Sequence, residues 1–268
     1  MTASLLGIIP ASGSGVRARP YSYEMHKGLF LIDGQSNISR LISIMRDEFD
    51  IEEIVITLGY MGDSIREAFG DGKEFGVKIN YVENQHLDKG WAWSVLLAKP
   101  YLAGRHACVL LSDEFYLGTN HKEFAKFPYD KYSAVVAVKR VDDPELIKKN
   151  FSVECDGNRV IRLVENPVNI TNDILGMANF ILAPEAFDLL ESAYDSGRPS
   201  IEFVNFIDEL IRDGHSVSLF ELTGHYVNLN DVASLEAAID LAIRTRLAKT
   251  STGEDVSSES SQNRKSKN

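Results

Sequence analysis

Leu5-Leu-Gly-Ile-Ile-Pro10-Ala11-Ser12-Gly13-Ser14-Gly15-Val16-Arg17-Ala18-Arg19-Pro20, with Met25-His26-Lys27 just downstream, decides the reading of this 268-residue chain. An apolar run of strand length stops at a loop with glycine at 13 and 15. Glycine leaves backbone N–H groups bare, so they can close on a phosphate. Arg17, Arg19 and Lys27 set positive charge beside them. That is the wiring of a nucleoside triphosphate site.

Two other kinds of phosphate loop do not fit this stretch. Gly13-x-Gly15-x-x-Ala18 fits the spacing of a dinucleotide fingerprint, whose third small residue sits inside a helix opening at the loop. Pro20 would interrupt such a helix and pushes Arg19 out of helical geometry. A P-loop is excluded because no Gly-Lys-Ser/Thr follows. The long basic loop that remains resembles the signature of the sugar-1-phosphate nucleotidyltransferases, commonly Ala-Gly-Gly-x-Gly-x-Arg-Leu-x-Pro followed by Pro-Lys. Ala11, Gly13, Gly15, Arg17 and Pro20 fall on it, and Lys27 falls on its second element. Ser12 stands where glycine is common, and His26 where proline usually precedes the lysine. The resemblance covers most of residues 5–245. It implies a GT-A-like α/β fold, three layers (α/β/α) around a mostly parallel mixed sheet. It also implies that Ala11, Ser12, Gly13, Ser14, Gly15, Val16 and Arg17 cradle the nucleotide.

The formal charge is −11, and residues 249–268 hold four Lys/Arg against three Asp/Glu, so the acidity belongs to the body of the protein. An acidic body repels nucleic acid and anionic membranes, leaving phosphates to a local basic pocket. Cys108 and Cys155 are too few for a disulfide framework and read as small buried hydrophobes in a reducing compartment. No apolar run reaches the roughly 20 residues of a membrane span, and the N-terminus lacks the charged region of a secretion signal. The expectation is a cytoplasmic protein without nucleic-acid or membrane partners; homo-oligomer formation is left open.

Strand-like runs at Leu5–Pro10, Ile54–Leu58, Val77–Val82, Ala107–Leu111 and Ala134–Val138 alternate with helical patterns. Ile38, Leu41, Ile42 and Met45 mark one such pattern, and Trp91, Val95 and Ala98 another. Alternation of this kind implies crossover connections and ligands beyond the carboxyl ends of the strands. The loop after Pro10 and the residues after Leu111 then share one edge. Further on, strands at Phe151–Glu154, Val160–Glu165 and Leu175–Leu182 precede helices over Ala186–Ala193 and Phe203–Arg212. A final helix runs from Val232 to Leu247 with Leu235, Ile239, Ala242 and Ile243 on its face. We therefore expect one domain over 1–248, and the resemblance implies that 1–140 binds nucleotide and 141–248 binds the acceptor. Residues 249–268 read as a disordered polar tail.

Asp113 follows the run Cys108-Val-Leu-Leu-Ser112, so a carboxylate is thrust out at a strand end, where a cation or hydrogen-bond donors must meet it. Magnesium favours such a hard oxygen ligand together with water and phosphate oxygens. In the family that the chain resembles, an aspartate here holds the metal on the triphosphate, with Ser112 beside the nucleotide. The family's second metal ligand lies before the final helix in Trp-x-Asp-x-x-Thr-x-x-x-Leu, to which Tyr226-Val-Asn228-Leu-Asn230-Asp231-Val-Ala-Ser-Leu235 is similar. Asn228 takes the aspartate's place and Asn230 is a second candidate, while Asp231 reads as the helix N-cap.

By the same resemblance Glu83 or Gln85, with Gly90, contacts the base. Trp91 and Trp93 cannot share one helix face, so at most one is core at full depth and the other is open to base stacking. Glu165-Asn166-Pro167 resembles the family's Glu-Lys-Pro, in which the glutamate binds sugar hydroxyls and the lysine grips the acceptor phosphate. Asn166 is a weaker grip on a dianion than an ammonium, which leaves room for an unusual acceptor. Asn179 is a further acceptor-side candidate.

The resemblance implies magnesium-dependent transfer of a nucleoside monophosphate from its triphosphate to a sugar 1-phosphate or a related small phosphate ester. Arg17 would hold the triphosphate and Lys27 would face the developing charge. Alternatives are cytidylyl transfer to a non-sugar phosphate or phosphonate, and a non-catalytic nucleotide or sugar-phosphate sensor of the same fold. A GT-A glycosyltransferase is disfavoured because Asp113-Glu-Phe lacks that class's Asp-x-Asp.

Overall fold

Residues Leu6–Ala11 form a strand buried along its whole length, and its side chains alternate between two cores. Leu6 and Ile8 enter one, Ile9 and Ala11 the other, as in a strand covered on both faces. The computed structural model describes residues 4–252. Through short 3-10 turns this strand, β1 (Leu6–Ala11), leads to the hairpin β2 (Leu31–Ile32) and β3 (Gln35–Ser36), then α1 (Asn37–Phe49) and β4 (Glu53–Leu58). Next come α2 (Gly62–Phe69), β5 (Lys78–Glu83), α3 (Trp91–Leu96), β6 (Ala107–Leu110), β7 (Glu114–Leu117) and α4 (His121–Phe124). β8 (Ala134–Arg140), α5 (Pro144–Lys148), β9 (Phe151–Asp156), β10 (Arg159–Glu165) and β11 (Ile174–Leu182) follow. The chain continues with α6 (Pro184–Asp195), α7 (Phe203–Arg212), β12 (Val217–Glu221), β13 (His225–Asn228) and α8 (Val232–Thr252).

Nine strands form one sheet in the order β5-β4-β1-β6-β11-β8-β12-β10-β9. The first four are mutually parallel, so the turns after β1, β4, β5 and β6 gather on one edge. Antiparallel β11 lies between β6 and β8 and ties the two halves of the chain into one sheet, while β12 joins β8 in parallel. β9 also pairs with the start of β11, so β11, β8, β12, β10 and β9 close into a ring. Helices α3, α6 and α7 cover one face through Val95, Phe187, Leu190 and Phe203, while α1, α2 and α4 cover the other through Leu41, Met45, Ile65 and Phe124. The three-layer α/β/α expectation holds.

Two short strands that periodicity did not mark, β7 and β13, pair antiparallel as a separate ribbon, with Asn228 opposite Glu114. Against it packs α8, which extends past the expected Leu247 to Thr252. Ala238 and Ala242 are its buried residues, while the expected Ile243 is exposed; two small side chains let the helix lie close on Ile32, Phe115 and Leu229. The tail expected at 249–268 thus starts within this helix, and its residues 253–268 lie outside the described residues.

Candidate active site

The loop leaving β1 opens no long helix. Gly15 adopts φ +60, a single 3-10 turn spans Val16–Ala18, and Arg19 is extended at φ −67, ψ 145, as expected of a residue before proline. Ser12 is anchored from beneath: its Oγ lies 2.8 Å from Ser94 Oγ, and Asn84 Nδ2 donates to Ser94 Oγ at 2.9 Å. Ser22 Oγ donates to the Gly15 carbonyl at 2.7 Å. A Cβ built on Gly13 would meet nothing within 4 Å, so the loop holds open space above it. Ser14 lies between the two glycines, half-buried, and Val16 and Arg17 are exposed.

Lys27 runs past Gly15, where an added Cβ would lie 3.7 Å from its Cδ, and pairs through Nζ with Asp113 Oδ2; the two side chains are 13% and 17% exposed. Next to it His26 is buried, its Nδ1 accepting from Gly28 N at 3.0 Å, and burial followed by the charge of Lys27 lowers its pKa to about 4. His26 is therefore neutral and fixes the start of the turn that carries Lys27. On the other partner, Asn37 donates both amide hydrogens to the carbonyls of Ser112 (2.9 Å) and Glu114 (3.0 Å), the residues on either side of Asp113. Ser112 itself is buried, its N–H donating to the Pro10 carbonyl at 3.3 Å. Sequence reasoning missed Asn37. Its only signal is an amide at the first position of an otherwise apolar helix face.

The β7–β13 ribbon carries the second half of the candidate metal site to the first. Leu229 N donates to the Asp113 carbonyl at 2.7 Å, which sets Asn228 and Asn230 on either side of that contact. Asn228 Nδ2 donates to Asn150 Oδ1 at 3.1 Å, and this leaves Asn228 Oδ1 buried without a hydrogen-bond partner. Asn230 Oδ1 accepts from the Arg17 guanidinium at 2.8 Å. Asp231 caps α8: its Oδ1 accepts from Ser234 N at 2.8 Å while Ser234 Oγ accepts from Asp231 N at 3.0 Å. The Ser234 hydrogen bonds hold its carboxyl below the ordinary range, and the charges of Lys149 and Arg17 add to that.

At the base end, Glu83 and Gln85 are both exposed, and Glu83 is paired with Arg66. Asn84 points the other way and is the residue that reaches the Ser12 loop. Period-two alternation separates it from its neighbours, and sequence reasoning passed over it. Gly90 has φ +84, and a Cβ there would sit 2.6 Å from the Ile201 carbonyl, so only glycine fits. Neither tryptophan is fully buried: Trp91 lies on Phe203 (centroids 4.4 Å apart), and Trp93 meets Tyr194 edge-on at 4.9 Å with Lys89 over its ring at 3.7 Å.

On the acceptor side, Glu165 ends β10 with Oε2 buried and unpartnered; burial, with the charge of Glu202 added, pushes its pKa up to about 7. Asn166 follows at φ +44, a conformation that asparagine tolerates better than most residues, and its N–H donates to the Asn150 carbonyl at 2.8 Å. Asn150, another residue unmarked by the sequence, therefore joins Asn166 to Asn228. Asn179 is fully buried, donating through Nδ2 to His121 Nε2 at 2.9 Å, so it lies beneath the cleft rather than at its surface. His121 Nδ1 then donates to Thr119 Oγ1 at 2.6 Å, and burial lowers the ring's pKa to about 3. Beside this pair Glu114 is buried, accepting from Ala178 N at 2.9 Å, from Tyr226 at 2.8 Å and from Tyr116. Burial raises its pKa to about 7.

The family model described as nucleotidyl transferase matches residues 6–243. The chain is similar to a glucose-1-phosphate thymidylyltransferase of Streptomyces griseus, 24% identical over 240 residues, which cover 89% of this chain and 66% of that protein. It thus spans slightly under two thirds of that relative's length. A UTP–glucose-1-phosphate uridylyltransferase of Haloferax volcanii is 23% identical over 217 residues, covering 81% of this chain and 88% of its own. Among solved structures, a UDP-glucose pyrophosphorylase complexed with UDP-glucose superposes with a TM-score of 0.77 at 17% identity, covering 92% of this chain and all of that one, a likeness in fold.

Proposed function

Because the chain belongs to the nucleotidyl transferase family, we propose that it transfers a nucleoside monophosphate from its triphosphate to a sugar 1-phosphate or a related small phosphate ester, releasing pyrophosphate. The observation that carries the proposal is the meeting of the open Ser12–Gly15 loop, the Lys27–Asp113 pair and Asn228 on one edge of the sheet. The relatives named for thymidylyl and uridylyl transfer to glucose 1-phosphate support this substrate class.

An oxygen of the acceptor phosphate attacks the α-phosphorus. The bond from that phosphorus to the bridging oxygen breaks, and pyrophosphate leaves with the bonding pair. The acceptor is already an anion, so no general base is needed, and the protein's task is to align two polyanions and neutralise charge at the α-phosphate. Loop N–H groups and Arg17 hold the triphosphate, Lys27 faces the developing charge, and Asn84 and Ser94 keep the loop in place from below.

A divalent ion fits the donors present. Asp113 offers a carboxylate, and Asn228 Oδ1 is a buried, unpartnered oxygen beside it, with Asn230 Oδ1 as a further donor. One carboxylate with amide oxygens suits magnesium, which keeps water and phosphate oxygens. When bound it would withdraw charge from the phosphate oxygens as a Lewis acid.

No helix among the described residues is long and apolar enough to cross a membrane; the free thiols of Cys108 and Cys155 support a reducing, cytoplasmic location. Pyrophosphate release with magnesium, each of four nucleoside triphosphates and a panel of phosphate esters tests the proposal. A purified protein to which no magnesium-complexed nucleotide binds by calorimetry would refute it.

A further inference from the structure

Resting on that reading, the structure points to a residue that the motifs of the sequence do not mark. The acceptor side carries no cation at position 166, where the resembling pattern has lysine, yet the backbone there is bonded directly to Asn150. Asn150 in turn holds Asn228, beside Asp113. The residue immediately before Asn150 is Lys149, exposed at the C-terminal end of α5. Its neighbour Lys148 is occupied by Glu145 at 2.6 Å, whereas Lys149 is in no ion pair among the described residues. Its charge reaches Asp231, one residue from the asparagine that Arg17 holds.

We propose that Lys149 is the cation that binds the acceptor's phosphate, approaching from α5 instead of from the loop at Asn166. A dianionic phosphate brought beside a nucleotide needs a compensating positive charge, and Arg17 and Lys27 belong to the nucleotide side. Lysine suits the role because its flexible stem places a point charge without demanding a fixed fork. The acceptor is thereby held between Glu165, which faces its organic part, and Lys149, which meets its phosphate.

The test measures steady-state kinetics of the wild type, Lys149→Ala, Lys149→Arg and Lys148→Ala. The triphosphate is that giving the fastest turnover, and the acceptor is the best of glucose 1-phosphate, glucosamine 1-phosphate, glycerol 3-phosphate and phosphocholine. Calorimetric Kd values for the magnesium-complexed triphosphate are recorded in parallel. We expect Lys149→Ala to raise the acceptor KM about tenfold or more, as loss of a charge-assisted phosphate contact does. Its kcat at saturating acceptor and its nucleotide Kd stay within about twofold, a split that a folding defect would not give. Lys149→Arg restores most of the KM, and Lys148→Ala leaves it unchanged. An unaltered acceptor KM in Lys149→Ala, or an equal rise in Lys148→Ala, overturns the assignment while leaving the transferase reading intact. Failure of the wild type to bind nucleotide overturns that reading itself.

Discussion

Lys27 and Asp113 neutralise each other across the cleft, one from the turn after the phosphate loop and the other from the turn after β6. On the proposed function, the group that would meet phosphate and the group that would meet a cation are thus each other's partner. Arg17 is likewise held by a candidate cation ligand, donating to the neutral amide oxygen of Asn230 at 2.8 Å. A metal–triphosphate complex would bring phosphate oxygens for Lys27 and Arg17 and a cation for Asp113 and the neutral amide oxygen of Asn230, so it would replace the contacts that it breaks.

Asp113→Asn releases Lys27. With EDTA present, the variant is expected to bind free nucleoside triphosphate about fivefold more tightly than the wild type, the roughly 1 kcal/mol of a partly exposed pair. Its magnesium-dependent turnover falls by about a hundredfold or more. Calorimetry and a pyrophosphate assay read the two effects, and weaker metal-free binding by Asp113→Asn would contradict the exchange of partners.

Asn37→Ala strips both donors from the Ser112 and Glu114 carbonyls. Leaving buried acceptors unpaired costs about 2–3 kcal/mol, visible as a lower urea midpoint with unchanged slope. Freed on both sides, Asp113 holds its ligand position less well, so the magnesium concentration for half-maximal turnover rises. Asn37→Asp, which cannot donate, should behave no better.

Two glycines separate space from strain. A Cβ at Gly59 would lie 2.4 Å from the Ser12 carbonyl, so Gly59→Ala displaces the phosphate loop at a cost of about 1–3 kcal/mol and weakens nucleotide binding. Gly13 faces open space, so Gly13→Ala keeps its melting temperature within about 1 °C, yet it loses nucleotide affinity because the added methyl stands where phosphate approaches the backbone. Equal destabilisation by both would show that Gly13 serves the fold instead.

Glu114 makes stability depend on pH. Its folded pKa of about 7 lies above the ordinary glutamate value of 4.5, so the folded state binds the extra proton and the contribution falls as pH rises from about 4.5 to 7. His26 and His121, lowered to about 4 and about 3, act oppositely and lose stability as pH falls below their unfolded value of 6.5. Glu114→Gln removes the first dependence alone. Its stability relative to wild type should climb across pH 4.5–7, by up to roughly 3 kcal/mol, in urea titrations at stepped pH; a flat difference would mean that the buried carboxyl does not titrate in that window.

The sheet strands were legible because β1, β6 and β8 are short apolar runs buried on both faces. The loop was legible because Gly13, Gly15, Arg17, Pro20 and Lys27 keep a fixed order. The ribbon was not, since Glu114-Phe-Tyr-Leu and His225-Tyr-Val-Asn are four residues each and gain meaning only from long-range pairing, Leu117 with His225 and Glu114 with Asn228. Asn37, Asn84 and Asn150 were silent for a related reason: each acts through hydrogen bonds to groups fixed by another part of the chain. Local periodicity carries no trace of such partners.

On the proposed function, that ribbon also sets when the protein becomes competent. The glycine loop, Lys27 and Asp113 all emerge early from the ribosome, but Asn228 and the Leu229 clasp on Asp113 come near the end of the described chain. A nascent chain can therefore display a phosphate cradle long before the cation-binding end exists, and this long-range strand pairing is the closing step that joins recognition to chemistry.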